Sequence, residues 1–132
     1  MRLRWQLAVL SVAFLVGCAA PAPTPTQMAE VRERMDKLGV PKIAPEQVCK
    51  PEKSKPPFVH YPPAALKAKT EGWALLRFEL DGSGRAAAIV VENSGPNSVF
   101  NAGAIQTVQN FTFVQGEKRT GCKVVISFFL LP

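Results

Sequence analysis

The sequence predicts an α+β fold: a small two-layer domain in which a three-stranded antiparallel sheet is packed by a helix, in the order helix, strand, strand, helix, strand (αββαβ). Three observations carry this expectation. Two runs with strand-like alternation, Trp73 to Leu80 and Arg85 to Asn93, flank the turn Asp81-Gly82-Ser83-Gly84. Phe100, Ala104, Ile105, Val108 and Phe111 then recur at helical spacing, giving one apolar stripe suited to lying across a sheet. The chain closes on Val-Val-Ile-Ser-Phe-Phe-Leu-Leu, residues 124–131, rich in the β-branched and aromatic residues that strands favour.

The folded unit is expected to begin near His60-Tyr61-Pro62-Pro63. Pro63 suits the first turn of a short helix over Ala64 to Lys69, because its missing N–H costs nothing there, and Gly72 ends that helix. In the first strand Ala74, Leu76, Phe78 and Leu80 point one way and Arg77 and Glu79 the other, the latter pair keeping the outer face soluble. Trp73 is expected to pack against the first helix. The glycines of the 81–84 turn supply the positive φ a hairpin needs, and the returning strand puts Ala87, Ile89 and Val91 on the core face. Asn97 or Ser98 caps the long helix, in which Gly103 is expected to permit close approach of helix to sheet. Gln115 to Gly121 reads as a polar loop, and Lys123 to Leu131 as the last strand.

Ahead of this unit lies a different kind of sequence. The apolar run from Leu7 to Gly17 is 11 residues, about half of what a bilayer-spanning helix requires. With Arg2 and Arg4 before it and small residues at its end, it is an export signal covering residues 1–17. Residues 18–59 then form a Pro-rich tether, extended through Ala19 to Thr26. Met28, Val31, Met35 and Leu38 mark a short amphipathic helix at 28–38, stopped by Gly39 and Pro41. Alone in water it is marginal, so it packs on the domain or on a partner. Residues 41–57 carry prolines and lysines without periodicity and read as linker.

The formal net charge of +6 falls to about +4 once Arg2 and Arg4 leave with the signal. These charges are interleaved with acids, which argues against a nucleic-acid surface. Cys49 and Cys122 form an even pair for which a disulfide is the default outcome in an oxidising compartment. Closing that loop stabilises a fold by about 4 kcal/mol in the chain-entropy picture. A lone His60 and two distant thiols lack metal-ligand spacing, and His60 itself reads as a solvated linker residue. With no nucleophile–base pair, paired acids or phosphate loop, the sequence offers no catalytic residue, metal site or cofactor site, and an enzyme is not expected.

Leu15-Val16-Gly17-Cys18 resembles a bacterial lipoprotein signal, which implies cleavage before Cys18 and lipid attachment to it. The similarity to enteric lipoproteins extends to Ala19, which implies sorting to the outer membrane. The following domain resembles the C-terminal domain of the TonB family of periplasmic energy transducers. The resemblance covers Tyr61 to Leu131 and rests on the order and spacing of several pieces. These are Tyr61-Pro62 with Ala65, Gly72 opening Trp73 to Leu80, Asp81 to Arg85, Ile89 to Gly95, Phe100 with Ala104, Phe111-Thr112-Phe113, and the final strand. It implies binding of a short extended segment of an outer-membrane transporter, added as a strand to the sheet. The partner-binding residues carried over are Tyr61 and Pro62, and the edge formed by Val124, Val125, Ile126, Ser127, Phe128, Phe129 and Leu130.

The chain departs from the family in three ways. It has Phe111-Thr112-Phe113-Val114-Gln115 where the family commonly shows Trp-Arg-Phe or Trp-Arg-Tyr followed by x-Pro. It has Phe58-Val59-His60 where a Gln-Pro pair is common. Family transducers are also driven through a transmembrane helix, which the Leu7–Gly17 run is too short to form. A lipid tail transmits no force from a motor, so the domain is expected to bind its partner without being pulled. The 42 residues between Cys18 and Tyr61 reach at most about 140 Å when fully extended.

If the last strand lies beside the first, its apolar edge needs a neighbour. A partner strand, a second copy of the domain, or the chain's own residues 49–60 held by a Cys49–Cys122 bond would each serve. The expected function is a non-enzymatic, lipid-anchored periplasmic binding module acting in TonB-dependent transport. Two alternatives stay open: a true energy transducer anchored in the inner membrane, and a structural envelope lipoprotein that self-associates, as a homodimer through the last strand.

Overall fold

The computed structural model describes residues 21–52 and 58–132; the expected signal at 1–17 and the lipidation site Cys18 lie outside the described residues. The sheet has three antiparallel strands in the order β2-β1-β3: β1 Gly72–Asp81, β2 Ala86–Gly95 and β3 Lys118–Phe128. Helices α2 (Pro63–Lys67) and α3 (Asn101–Gln109) belong to the core side, and α1 (Pro25–Lys37) precedes the domain. The fold is the α+β arrangement that the alternation and the helical stripe predict.

Alternation in β1 survives intact, because it is the central strand. Ala74, Leu76, Phe78 and Leu80 are at most 5% exposed, and Arg77 and Glu79 face solvent. Phe100, Ala104, Val108 and Phe111 from the α3 stripe close over them, joined by Phe113, Ile126 and Phe128. Asn97 accepts the Val99 N–H and caps the short 3-10 turn Ser98–Phe100 that leads into α3.

The differences from the sequence reading have local causes. On β2, Ala86 rather than Ala87 packs with Ile89 and Val91 on the core. An extra residue between the Arg77–Val90 and Glu79–Ala87 pairs, with Ala88 at φ +50°, shifts the alternation by one. Helix α1 starts at Pro25, not 28, because Thr24 and Gln27 form a reciprocal capping box ahead of it. Gly72 opens β1 instead of ending α2, which stops at Lys67; the chain reverses through Lys69 at φ +54°.

The last strand is displaced toward the N-terminus. It begins at Lys118, inside the expected loop, because β1 extends to Asp81 and its backbone pairs on through Lys118 and Arg119. A bulge at Thr120-Gly121, with Gly121 at φ +70°, absorbs one extra residue between the Cys122 and Arg119 pairings. The strand ends at Phe128. Leu130 is bound by side chains instead: its N–H donates to Glu71 Oε2 (2.8 Å) and its carbonyl accepts from Arg34 (2.6 Å). Phe129 and Leu130 therefore lie beyond the pairing strand.

The expected linker is partly structured. Cys49 and Cys122 are joined by a disulfide, with Cα atoms 5.5 Å apart. A 3-10 turn spans Pro45–Gln47, Val48 pairs with Lys123 in parallel, Pro51 pairs with Phe113, and the Glu52 N–H donates to the Thr112 carbonyl at 2.7 Å. The rest of that expected linker, residues 53–57, is outside the described residues.

Candidate strand-pairing site

A three-stranded sheet has two outer strands, and they differ in what they can accept. Opposite β1, β2 carries two extra residues: one between the Leu75–Asn93 and Leu76–Val91 pairs, and one at Ala88. Bulges of this kind break the regular spacing of donors and acceptors, a common way of blunting an edge. Glu92, the residue at the first bulge, places its carboxylate 3.2 Å from Arg77 and 3.1 Å from Lys123, so one acid links all three strands across the open face.

The β3 edge divides at Lys123. Below it, residues 45–49 lie along the outer side. They are fixed by the disulfide at Cys122, the Val48–Lys123 bridge, and Arg119 donating to the Val48 and Glu46 carbonyls. Above it, from Val124 to Phe128, β3 pairs in regular register with β1, and no strand among the described residues lies on its other side. Of the three neighbours considered for this edge, the chain's own segment is present, but it covers only the lower part and uses residues 45–49 more than 49–60.

Tyr61 and Pro62 support the far end of that edge. The Tyr61 ring meets Phe100 and Phe128 edge-on, with centroids 6.0 and 5.5 Å away, and Phe100 stacks on Phe128 at 4.7 Å. Its hydroxyl donates to the Thr70 carbonyl, and burial, then the nearby Glu71 charge, push its pKa up. Tyr61 thus braces the last residue of β3 from the core side. Pro62 packs over Gly103, where an added Cβ would lie 2.4 Å from the His60 carbonyl and 3.3 Å from Pro62. Gly103 is needed for approach of the His60-Tyr61-Pro62 segment, not of the sheet. Phe58, Val59, Leu66 and Val99, all exposed, line an open groove of about 500 Å³ beside it.

His60 is held, not free in solvent. Its N–H donates to Thr107 Oγ1 at 3.0 Å, its Nε2 lies 3.1 Å from Asn110 Nδ2, and Phe58 packs edge-on at 5.2 Å. Among the described residues no group of three His, Cys, Asp or Glu side chains could hold a metal ion, and no helix is long and apolar enough to cross a membrane.

The sequence reading missed the contacts of α1. Arg34 forms a two-point ion pair with Glu71 (2.9 and 3.2 Å) as well as its bond to Leu130. The Trp73 indole N–H donates to the Leu38 carbonyl at 2.8 Å, just past α1, and Val31, Met35 and Trp73 are all buried. Burial pushes the Glu71 carboxyl up, but the Arg34 hydrogen bond, the Leu130 N–H and the Arg34 charge outweigh it and hold it below the ordinary carboxylate value. The apolar period of α1 shows that it needs a surface. No spacing links Arg34 to a glutamate 37 residues away.

The arrangement defines a class: a small α+β domain with one regular sheet edge that has no neighbouring strand among the described residues. The chain belongs to the family of the Gram-negative bacterial TonB protein C-terminal domain, whose model matches residues 57–130. Members of this family are non-enzymatic interaction domains that work with proteins of the cell envelope. Among solved structures, the TonB2 protein of Vibrio anguillarum is 24% identical over 70% of this chain and 92% of its own, with a TM-score of 0.50, and shares the fold. The solution NMR structure of the Pseudomonas aeruginosa TonB C-terminal domain is 26% identical over 61% of this chain and 85% of its own, with a TM-score of 0.48. No curated protein sequence matches the chain significantly.

Proposed function

We propose that this chain is a lipid-anchored, non-enzymatic TonB-type binding module of the outer membrane's periplasmic face. It takes an extended segment of a TonB-dependent transporter along the outer side of β3. One observation carries the reading: residues 124–128 form a regular edge with no strand beside it among the described residues, while β2 is bulged and the lower part of β3 is already covered. A strand added there gains backbone hydrogen bonds, and the alternate side chains of the edge give selectivity. The lipid anchor is supported by Leu15-Val16-Gly17-Cys18 and its placement outside the cytoplasm by the Cys49–Cys122 bond.

The test is a photoreactive amino acid at Val125, with the same residue at Val90 on β2 as the control, irradiated in intact envelopes. The expected product joins Val125 to an outer-membrane transporter and leaves Val90 unlinked. A homodimer as the sole product, or linkage from Val90 alone, would overturn it. Metabolic labelling with a fatty-acid probe is expected to mark the wild type and not the Cys18→Ser variant; an unlabelled wild type removes the anchor.

A further inference from the structure

Residues 18–59 read as a tether long enough for the domain to range widely, but the structure withdraws most of that length. Helix α1 is seated on the domain by buried Val31 and Met35, by the Arg34–Glu71 pair, by Arg34 on the Leu130 carbonyl, and by Trp73 on the Leu38 carbonyl. These contacts join α1 to one end of the sheet, where Gly72 pairs with Phe128: Glu71 immediately precedes β1, and Leu130 follows β3. The chain between Tyr61 and α1 is thus a closed loop that adds nothing to the domain's reach.

We propose that α1 is a clamp that holds the domain against the membrane carrying Cys18, so that the strand joining β3 comes from a protein embedded in that same membrane. This rests on the lipid anchor proposed above. Between Cys18 and the helix cap Thr24 there are six residue steps, about 20 Å at full stretch. From Thr24 to Arg34 the helix adds about 15 Å. The seat of the domain therefore lies within about 35 Å of the bilayer, against about 140 Å for the same tether unclamped. A segment emerging from a neighbouring protein in the same leaflet meets the domain there, whereas one offered from the opposite membrane has to cross the rest of the space between the membranes unaided.

The test measures energy transfer from a donor on Ser98→Cys to acceptor-labelled headgroups, using the lipidated chain in phosphatidylethanolamine–phosphatidylglycerol vesicles. Ser98 is exposed and belongs to the turn that packs near Gly72, so it reports on the seat without touching it. Transfer is expected to be efficient in the otherwise wild-type chain. It should be at least about two-fold weaker in Val31→Asp/Met35→Asp, and also after about 20 Gly/Ser residues are added between Ala20 and Pro21, since each lengthens the free coil. Trp73 emission should shift to the red in the double variant and stay unchanged in the lengthened chain. Equal transfer in the wild type and the double variant would overturn the clamp. A chain that carries no acyl label and washes off the vesicles defeats the anchor instead, and the unshifted Trp73 emission of its wild type still reports a seated helix.

Discussion

Gly103 and Tyr61 show how single residues fix the pairing strand from behind. Tyr61 is carried over from the family resemblance as a partner-binding residue; here its ring supports Phe128 and its hydroxyl is satisfied by Thr70. That support depends on how closely the His60–Pro62 segment approaches α3, and Gly103 sets that distance. In Gly103→Ala the new methyl would sit 2.4 Å from a backbone oxygen, which cannot move aside as a flexible side chain can. The expected cost is about 1–3 kcal/mol, read as a lowered midpoint in thermal unfolding. The sequence announces that α3 has a gap in its side chains at Gly103. It does not announce which neighbour fills the gap, because the approaching segment carries no periodicity of its own.

At the scale of elements, strands were legible where one face is buried and opaque where pairing is by backbone alone. Strand β1 reads directly from Ala74 to Leu80. Lys118-Arg119-Thr120-Gly121 reads as loop, yet it forms the first part of β3, since its pairing with β1 owes nothing to apolar alternation. The cysteine pair pointed to the chain's own segment as one of three candidate neighbours for β3, but as residues 49–60; that residues 45–49 do the covering leaves no pattern in the sequence. Removing the bond in Cys49→Ser/Cys122→Ser is expected to lower stability by about 4 kcal/mol. It should also free the lower edge of β3, so that light scattering shows more self-association at a given concentration than in the wild type. Unchanged association would mean that the Val48 and Arg119 contacts hold the strap without the bond.

For the whole molecule, the sequence reading separated a tether from a domain, and the fold joins them at Arg34–Glu71. The amphipathic period of α1 made its existence and its need for a surface clear; its polar partners on the domain are Glu71, the Leu130 carbonyl and Trp73, and such contacts leave no trace in periodicity. Because Glu71 is held below its ordinary value of 4.5, its contribution is present above that value and is lost as pH falls through the depressed one. Acid titration followed by Trp73 fluorescence should therefore show α1 loosening in the wild type on the acid side of 4.5. Glu71→Gln should show a weaker seat at neutral pH and little further change on acidification.

The sulfur bridge also decides where tension would run. A load hung on residues 124–128 passes down β3 to Cys122, two residues before Val124, crosses to Cys49, and continues along the backbone toward Cys18. The covalent path bypasses the 73-residue loop that holds β1, β2, α3 and most of the aromatic interior, so that packing is wired in parallel with the strain and not in series with it.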